Sequence, residues 1–303
     1  MTQLHPRVYE RVENLPKEFS VAALELMQTP AGAVLCPPDR FDVIDVKNPF
    51  MAGNAGHVDK ELARREWGAL RDAFSKAGSR VELLKPLDSC EDMVFCANTA
   101  LLGIDAQGRK TCLPGRMTFD SRRPEVAVMV AWARANGYRI VDDFADPGLR
   151  FEGSGDAIWH PGRRLLWGGY GWRTDPLVYH GVAEAFGVPV ITLALTDSTF
   201  YHLDTCFVAL DERTVLVHVA AISTEGVEMV RRVFERVIEV DADEARRFAC
   251  NATLLGPGVV AIDRRADATG SRLRELGYEV VALDTGEFLK SGGSAYCMKN
   301  AFF

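Results

Sequence analysis

The sequence lacks a long apolar run and an excess of basic residues. Over its 303 residues no apolar stretch approaches the length of a membrane span, and residues 1–7 contain no apolar signal core. Lys and Arg number 35 against 42 Asp and Glu, which gives a formal net charge of -7. We therefore expect a cytoplasmic protein whose main partner is neither nucleic acid nor a membrane. A small cationic substrate suits this charge.

The seven cysteines lack a pairing pattern. Their number is odd, and they occur in apolar contexts such as Val34-Leu35-Cys36, which is typical of reduced, buried thiols. Cys90 and Cys96 have no matching second pair, so we expect no zinc site. A phosphate-binding glycine motif is also absent, since we expect residues 153–155 to enter a strand and not a helix. We predict that the protein uses neither a cofactor nor a metal.

No linker or low-complexity segment divides the chain, so we predict one folded domain over residues 31–303. Residues 1–30 are a polar, proline-punctuated leader with one amphipathic piece, and we expect them to form an appendage or a cap. After the leader, one pattern repeats: an amphipathic helix, a glycine or an equivalent break, and a β-branched strand. The five copies lie at 67–84, 126–141, 177–193, 227–240 and 269–282.

Paired strands with turn residues lie between these units, as at 157–167 and 205–218. Five copies of roughly strand, strand, helix and strand, spaced by about 40 to 60 residues, predict an α/β fold that closes into a ring of five small units. A doubly wound sheet would need one parallel crossover after another, and the paired-strand turns do not fit it.

Polar residues recur just after the last strand of each unit. They lie at 88–98, 152–156, 202–204, 251 and 297. Equivalent points of a ring converge on its axis, so we expect these residues to form one site.

Cys297 and His202 are the first candidates for catalysis. Cys297 follows a Ser-Gly-Gly run that would let the backbone approach a substrate, and a thiolate is an effective nucleophile, although a buried structural thiol fits the same residues. His202 follows an aromatic pair and precedes Asp204 by two positions, which in a strand would direct both side chains into one pocket. The other histidines lie in contexts typical of structural or solvated residues: His5, His57, His160, His180 and His218.

Several charged and amide side chains are further candidates, with solvated turns and surface charges as the alternative for each. Glu152 begins a small-residue loop that could orient a histidine or hold a cation. Asp92 opens an apolar stretch that we expect to be a strand, and Asn98 closes it. Arg173, in a loop rich in glycine and aromatic residues, and Arg116 suit a clamp on a carboxylate.

Together these motifs resemble the guanidino-group-modifying enzymes: arginine deiminase, dimethylarginine dimethylaminohydrolase, arginine dihydrolase and arginine:glycine amidinotransferase. The most specific matches are His-Leu-Asp at 202–204, Glu-Gly-x-Gly-Asp at 152–156 and Gly-Gly-x-x-x-Cys at 292–297. The resemblance covers nearly all of the chain from residue 33 onward. It implies a five-bladed, pseudo-symmetric α/β propeller of ββαβ repeats, the pentein fold.

The resemblance also implies covalent catalysis at a guanidinium carbon. Cys297 would attack that carbon, His202 would transfer protons, and Glu152 would hold the guanidinium and orient His202. The implied substrate-binding residues are Asp204 as a second carboxylate, Asp92 as a further acid, and Arg173 and Arg116 for the α-carboxylate of the substrate.

One departure from the family pattern concerns Asn98. Dimethylarginine hydrolases and deiminases carry an aspartate there, whereas an amide tolerates a neutral ureido group. That pattern is associated with arginine dihydrolases, which form ornithine, ammonia and carbon dioxide. We therefore expect hydrolysis of arginine or a close analogue, with dimethylarginine hydrolysis and then amidino transfer as alternatives. A non-catalytic binding propeller is disfavoured, and a homo-oligomer is compatible with the sequence.

Overall fold

The computed structural model describes residues 4–303, which contain sixteen strands and eight α-helices. The strands are β1 (Val8–Tyr9), β2 (Gly32–Leu35), β3 (Arg80–Leu83), β4 (Ala100–Ile104), β5 (Lys110–Pro114), β6 (Arg139–Ile140), β7 (Ala157–Trp159), β8 (Leu166–Tyr170), β9 (Val190–Ala194), β10 (Phe207–Ala209), β11 (Thr214–Val217), β12 (Arg236–Glu239), β13 (Thr253–Gly256), β14 (Val259–Asp263), β15 (Glu279–Leu283) and β16 (Lys299–Phe302).

The α-helices are α1 (Lys60–Lys76), α2 (Arg123–Ala135), α3 (Gly153–Asp156), α4 (Val178–Phe186), α5 (Thr224–Val233), α6 (Ala242–Arg246), α7 (Asp267–Glu275) and α8 (Gly286–Leu289). Short 3-10 helices occur at Val12–Asn14, Val21–Ala23, Pro49–Met51, Cys96–Thr99, Asp120–Arg122, Leu203–Thr205, Val219–Ala221 and Ala249–Asn251. No helix within residues 4–303 combines the length and the apolar character that crossing a membrane requires.

The strands form five separate sheets that share one plan. In each sheet the first strand pairs antiparallel with the second, and the second pairs in parallel with the third after a helical crossover. The five sheets are β4-β5-β6, β7-β8-β9, β10-β11-β12, β13-β14-β15 and β16-β2-β3. The fold is therefore mixed α/β, and each predicted strand, strand, helix and strand unit is present as one sheet.

The sheet that contains β16 joins distant parts of the chain. Lys299 of β16 lies opposite Leu35 of β2, and Phe302 lies opposite Gly32. Because β16 begins two residues after Cys297, this pairing ties the backbone beside the cysteine to a buried strand.

Residues 4–30 pack onto the domain. β1 pairs in parallel with β9, with Val8 opposite Val190, and so adds a fourth strand to that sheet. Tyr9, Leu15 and Phe19 are buried in the same apolar cluster as the residues around β10 and β11. The segment covers one side of the core, as a cap would.

The helices pack their apolar faces against the sheets. In α1 the buried residues Ala63, Trp67, Leu70 and Phe74 recur with helical spacing, and Asp59 caps the helix by accepting a hydrogen bond from the Leu62 N–H. The apolar core thus lies between each helix and its sheet. The polar segments that precede the first strand of each sheet lie outside this core, where they can line a site.

Two of those polar segments are turns and not strands, which corrects two expectations: residues 92–98 end in a 3-10 helix, and His202 precedes another. Residues 153–156 lead into the strand β7 as expected, but they form one helical turn before it. A tight turn directs consecutive side chains to different sides. A turn, and not the two-residue period of a strand, therefore places His202 beside Glu152 and Asp204 beside Cys297.

Candidate active site

One pocket collects side chains from the segments that precede the first strands. The enclosed space within it is about 20 Å³, room for about one water molecule. It is lined by Lys47, Asn48, Met51, Asp92, Phe95, Asn98, Arg122, Arg173, Tyr201, His202, Ser291, Gly292 and Cys297. The structure thus brings together five of the eight predicted site residues in this lining. Glu152 contacts His202 and Arg173 of this lining, and Asp204 contacts Cys297.

Cys297 is held by an amide and a carboxylate. Asn251 Nδ2 lies 3.1 Å from the sulfur and donates to it, while the Cys297 N–H donates to Asn251 Oδ1 over 3.3 Å. The thiol itself lies 3.2 Å from Asp204 Oδ2. Cys297 is only 4% exposed, but it still lines the pocket. All seven cysteines are unpaired and buried, and among them only Cys297 lines this pocket.

The surroundings of Cys297 favour the neutral thiol. Burial raises the pKa of the Cys297 thiol well above its ordinary range, and the neighbouring Asp204 carboxylate raises it further. Burial also raises the pKa of Asp204, to about 7. One oxygen of Asp204, Oδ1, is buried without a hydrogen-bond partner. A cation bound beside these groups would satisfy that oxygen and favour the thiolate.

His202 forms a buried pair with Glu152. His202 Nε2 and Glu152 Oε2 are 2.7 Å apart, and both side chains are nearly inaccessible to solvent. Burial alone would raise the pKa of Glu152, but the hydrogen bond from His202 and the charges of His202, Arg173 and Arg122 hold that pKa well below its usual range. Glu152 is therefore a carboxylate that can orient His202 and stabilise its protonated form.

Asp156 positions the turn that carries His202. Its Oδ1 accepts a hydrogen bond from the Leu203 N–H at 2.9 Å, and its Oδ2 accepts one from Thr174 Oγ1 at 2.7 Å. Thr174 Oγ1 in turn accepts from the Glu152 N–H at 3.0 Å. Burial raises the pKa of Asp156 to about 6. This carboxylate links the backbones of both members of the His202–Glu152 pair.

The orientation of the Asn98 amide is set by Arg122. Arg122 Nη1 donates to Asn98 Oδ1 at 3.0 Å, while its Nε and Nη2 form a two-point contact with Glu125 at 3.0 and 2.9 Å. The amide nitrogen of Asn98 consequently faces the His202 ring at 3.5 Å and the pocket. A Cβ at Gly155 would lie 2.3 Å from that nitrogen, so the small residue makes room for it.

Asp92 lies in the pocket beside a lysine. Asp92 Oδ2 is 3.1 Å from Lys47 Nζ, and its Oδ1 accepts a hydrogen bond from Ser291 Oγ at 3.2 Å. Lys47 also contacts Glu91 at 2.7 Å. Burial opposes the charge on Lys47, but Asp92 and its other acidic contacts raise the lysine pKa above its ordinary value. Lys47, Asp92 and Glu91 form a buried charged group at one side of the pocket.

The two predicted arginines differ in position. Arg173 lines the pocket between the rings of Phe119 and Tyr201, at 4.7 and 4.6 Å from their centroids. Arg116 lies outside the pocket lining, where its guanidinium donates to three backbone carbonyls within residues 142–146. The structure therefore does not bring Arg116 to the other candidate residues, because local carbonyls bind its donors.

Gly292 and Gly293 allow close packing beneath Cys297. Gly292 has a φ of 80°, and a Cβ there would lie 2.7 Å from Asn48 Oδ1. A Cβ at Gly293 would lie 2.4 Å from the Phe95 ring. Tyr201 Oη donates to the Gly292 carbonyl at 2.5 Å. The glycines thus bring the loop close to the pocket wall.

Sequence reasoning missed Arg122 and Lys47. Arg122 directly precedes α2 within a run of charged residues, where an exposed helix start is the ordinary expectation. Lys47 lies in the irregular segment between β2 and α1, which has no repeat signal. Asn251 could be recognised from the sequence because it lies just before β13, the first strand of its sheet. The structure adds its contacts with Cys297. Within residues 4–303 no group of three or more His, Cys, Asp or Glu side chains is arranged to hold a metal.

Comparison with known proteins places this site in a family. A family model for N,N-dimethylarginine dimethylhydrolases of the eukaryotic type matches residues 41–303. The N(G),N(G)-dimethylarginine dimethylaminohydrolase of Mycobacterium tuberculosis is 34% identical over 263 residues, which are 87% of this chain and 83% of that enzyme.

Two further similarities concern ArgZ, a bifunctional arginine dihydrolase/ornithine cyclodeaminase of Synechocystis sp. ArgZ is 34% identical over 268 residues, which are 88% of this chain but only 37% of ArgZ. Its N-terminal domain, solved as an Asn-to-Ser variant covalently bound to a reaction intermediate, has a TM-score of 0.82 and 30% identity, covering 92% of this chain and 98% of that domain. By the extent of the family match and these identities, the chain belongs to the dimethylarginine dimethylaminohydrolase family of guanidino-group hydrolases.

Proposed function

We propose that the protein is an arginine dihydrolase that converts arginine to ornithine, two ammonia and carbon dioxide without a cofactor. The observation that carries the proposal is the amide of Asn98, whose nitrogen faces the pocket beside His202 because Arg122 binds its oxygen. An N–H donor at this point can bind the carbonyl oxygen of a neutral ureido group, which a carboxylate would repel. The first product, citrulline, can then enter a second round.

In the proposed first step, the substrate guanidinium binds beside Asp204 and Glu152, and its positive charge favours release of the Cys297 proton to water. The sulfur attacks the guanidinium carbon, and a C–S bond forms as one C–N bond breaks. His202 donates the proton that the leaving ammonia needs. Its 2.7 Å contact with Glu152 supports both its orientation and its positive charge.

In the proposed second step, water attacks the carbon of the Cys297 adduct. His202 accepts the proton of that water, and the C–S bond breaks to release citrulline and the free thiol. Repeating the cycle on the ureido carbon releases a second ammonia and a carbamate, which decomposes to ornithine and carbon dioxide. The covalent intermediate of the ArgZ domain supports this course.

The remaining pocket charges suit the amino-acid end of the substrate. Arg173 provides a rigid guanidinium for the α-carboxylate, and its 3.4 Å contact with Glu152 is long enough to yield to a ligand. Asp92 provides a carboxylate for the α-ammonium group. We assign no substrate contact to Arg116.

We also propose that the five sheets are the blades of a pentein propeller. The support is that each sheet places its first strand along one common cavity, and that β16 pairs with β2. The predicted convergence of five polar segments on one axis would then explain why Glu152, His202, Asn251 and Cys297 meet.

Incubation of the protein with arginine tests the proposed activity directly. We expect ornithine and ammonia to accumulate in a ratio of one to two, and citrulline supplied alone to yield ornithine. Chromatographic analysis of the amino acids with an ammonia assay measures both. Citrulline that accumulates without ornithine would contradict the dihydrolase. Dimethylamine released from dimethylarginine would favour the runner-up, and a product formed only with added glycine would favour amidino transfer.

The rate at which iodoacetamide alkylates Cys297 in the substrate-free protein tests the state of its thiol. Because burial and Asp204 raise the pKa of Cys297, the thiolate is scarce at pH 7, and the rate should rise about tenfold per pH unit up to pH 9. Peptide mass spectrometry measures the rate at this residue.

An Asp204→Asn variant should react faster at pH 7, because removing the negative charge lowers the thiol pKa. Asp146→Asn, on a surface turn, is the matched control and should leave the rate unchanged. A rate that is already high and constant from pH 6 to 9 would mean that Cys297 is a stable thiolate.

A further inference from the structure

Lys47 is buried in the active-site pocket although its neighbours in the chain are exposed. Its side chain is 3% exposed, whereas Ile44 and Val46 are 67% and 61% exposed. Soluble proteins ordinarily leave lysine side chains outside and bury aliphatic ones, because an ammonium group loses its hydration when it is buried. The loop between β2 and α1 does the reverse at this point. Here the contacts of the Lys47 ammonium outweigh the burial of two aliphatic side chains.

The Lys47 ammonium binds the carboxylate that we assign to the α-ammonium group of arginine. Its Nζ lies 3.1 Å from Asp92 Oδ2 and 2.7 Å from Glu91 Oε1, and it also contacts Asp45. Within residues 4–303 Asp92 Oδ2 accepts no hydrogen bond, so its pairing with Lys47 is electrostatic and a well-placed substrate ammonium can replace the lysine. Lys47 thus already brings to Asp92 the positive charge that arginine would bring.

The main chain of Lys47 binds the arginine that we assign to the α-carboxylate. Arg173 Nη2 donates to the Lys47 carbonyl oxygen at 3.0 Å, and Arg173 Nη1 lies 3.4 Å from Glu152 Oε2. A carboxylate accepts two parallel hydrogen bonds from a guanidinium and carries a full charge, so it binds Arg173 more strongly than a carbonyl oxygen does. We expect a substrate carboxylate to displace this carbonyl contact.

The Lys47 carbonyl can move without the ammonium. The enclosed space of the pocket is about 20 Å³, so a ligand of the size of arginine enters only if part of the loop moves. Residues 44–46 are exposed, whereas Asn48 is fixed by donating to the Ser291 carbonyl at 2.9 Å. A flexible four-carbon stem joins the lysine Nζ to the main chain. The main chain at Lys47 can therefore shift toward solvent while Nζ stays on Asp92.

We propose that Lys47 takes the place of a substrate α-ammonium group, so that the protein also hydrolyses ω-guanidino carboxylates that lack this group. Such a compound leaves Lys47 on Asp92 and places its carboxylate on Arg173, whereas arginine must displace Lys47. The inference rests on the proposed function, because it uses the same assignments of Asp92 and Arg173.

The chemistry at Cys297 is the same as for arginine. In each round the sulfur forms a C–S bond as one C–N bond breaks, and water then breaks the C–S bond. Two rounds would convert 5-guanidinopentanoate and two water molecules to 5-aminopentanoate, two ammonia and carbon dioxide.

Turnover of 5-guanidinopentanoate, which is arginine without its α-ammonium group, tests the proposal on the unchanged protein. We expect a kcat/KM within about tenfold of the value for arginine, measured by the ammonia released. Loss of one partner of a buried ion pair ordinarily weakens binding about 30-fold or more, and Lys47 removes that cost. A kcat/KM more than about tenfold below that for arginine would overturn the proposal.

Titration calorimetry on the Cys297→Ser variant separates the role of Lys47 from catalysis. Adding Lys47→Met should raise the ratio of the 5-guanidinopentanoate Kd to the arginine Kd at least about tenfold, because Asp92 then repels a ligand carboxylate and favours an ammonium. Lys60→Met is the matched control, since Lys60 binds Asp42 of the same loop at 2.7 Å outside the pocket lining. This control should leave the ratio unchanged.

Acetylation of lysines followed by peptide mass spectrometry tests the displacement without changing Lys47. In Cys297→Ser, saturation with arginine should speed the acetylation of Lys47 at least about fivefold, whereas 5-guanidinopentanoate should leave Lys47 protected. Lys60 is the internal reference. An unchanged Kd ratio in Lys47→Met, or equal acetylation of Lys47 with both ligands, would overturn the proposal. If circular dichroism shows that Lys47→Met does not fold, turnover and acetylation decide.

The proposed function and the role of Lys47 fail in different ways. Arginine that yields only citrulline contradicts the dihydrolase and leaves the role of Lys47 standing, because Lys47 acts at the amino-acid end of the substrate. Full turnover of arginine without turnover of 5-guanidinopentanoate contradicts the role of Lys47 alone.

Discussion

The Cys297→Ser variant is expected to lose turnover of arginine by about 10⁴-fold or more, because an unactivated hydroxyl cannot replace the sulfur as nucleophile. The substitution changes the side-chain volume little, and the hydroxyl can keep the contacts with Asn251 Nδ2 and Asp204 Oδ2 that now hold the sulfur at 3.1 and 3.2 Å. The fold should therefore persist. Steady-state assays and thermal unfolding measure the two effects.

Cys90→Ser is the matched control for this experiment. Cys90 is also buried, but it lies outside the pocket lining, and the Ser121 carbonyl 3.8 Å from its sulfur can accept a hydrogen bond from a hydroxyl. Its activity should remain within about twofold of that of the unchanged protein. Activity retained by Cys297→Ser would remove the nucleophile from the proposed mechanism. Loss of activity in both variants would mean that substitution of a buried thiol, and not loss of the nucleophile, is responsible.

The Asn98→Asp variant is expected to release citrulline and to form ornithine from citrulline at least about 10²-fold more slowly. Arg122 would still bind one oxygen of the new carboxylate, so the other oxygen would replace the N–H donor that faces the pocket. A carboxylate oxygen opposite a ureido oxygen leaves two acceptors without a proton between them, and such an unmatched buried pair is unfavourable. The first round should be affected less, because a guanidinium carries donors.

Product ratios with arginine and with citrulline as separate substrates measure this effect. Asn136→Asp makes the same chemical change at the end of α2, outside the pocket lining, and should preserve the ratio of ornithine to ammonia. An Asn98→Asp variant that still converts citrulline to ornithine at an unchanged rate would show that this amide does not select the ureido substrate.

The repeat pattern and the chemistry-bearing motifs were accessible from the sequence alone. A helix, a glycine or an equivalent break, and a strand recur five times because each unit buries its own apolar face, and burial imposes a periodicity that can be read without coordinates. Cys297, His202 and Glu152 could also be located from the sequence, because each lies between the end of one repeat unit and the first strand of the next. The strand assignments around Asp92 and His202 were wrong, since short apolar segments suit a strand and a tight turn equally well.

The tertiary structure alone decided the partners and orientation of these groups. Local sequence does not specify that Arg122 reaches Asn98 across 24 positions, that Asn251 donates to Cys297, or that Arg116 binds nearby carbonyls instead of the pocket. Such contacts depend on how separate sheets pack. A hydrogen bond is lost after a small shift of its donor or acceptor, and no sequence pattern specifies atomic positions that finely. The sequence by itself thus determined which chemistry is available. The packing of the sheets determined which charges face each other.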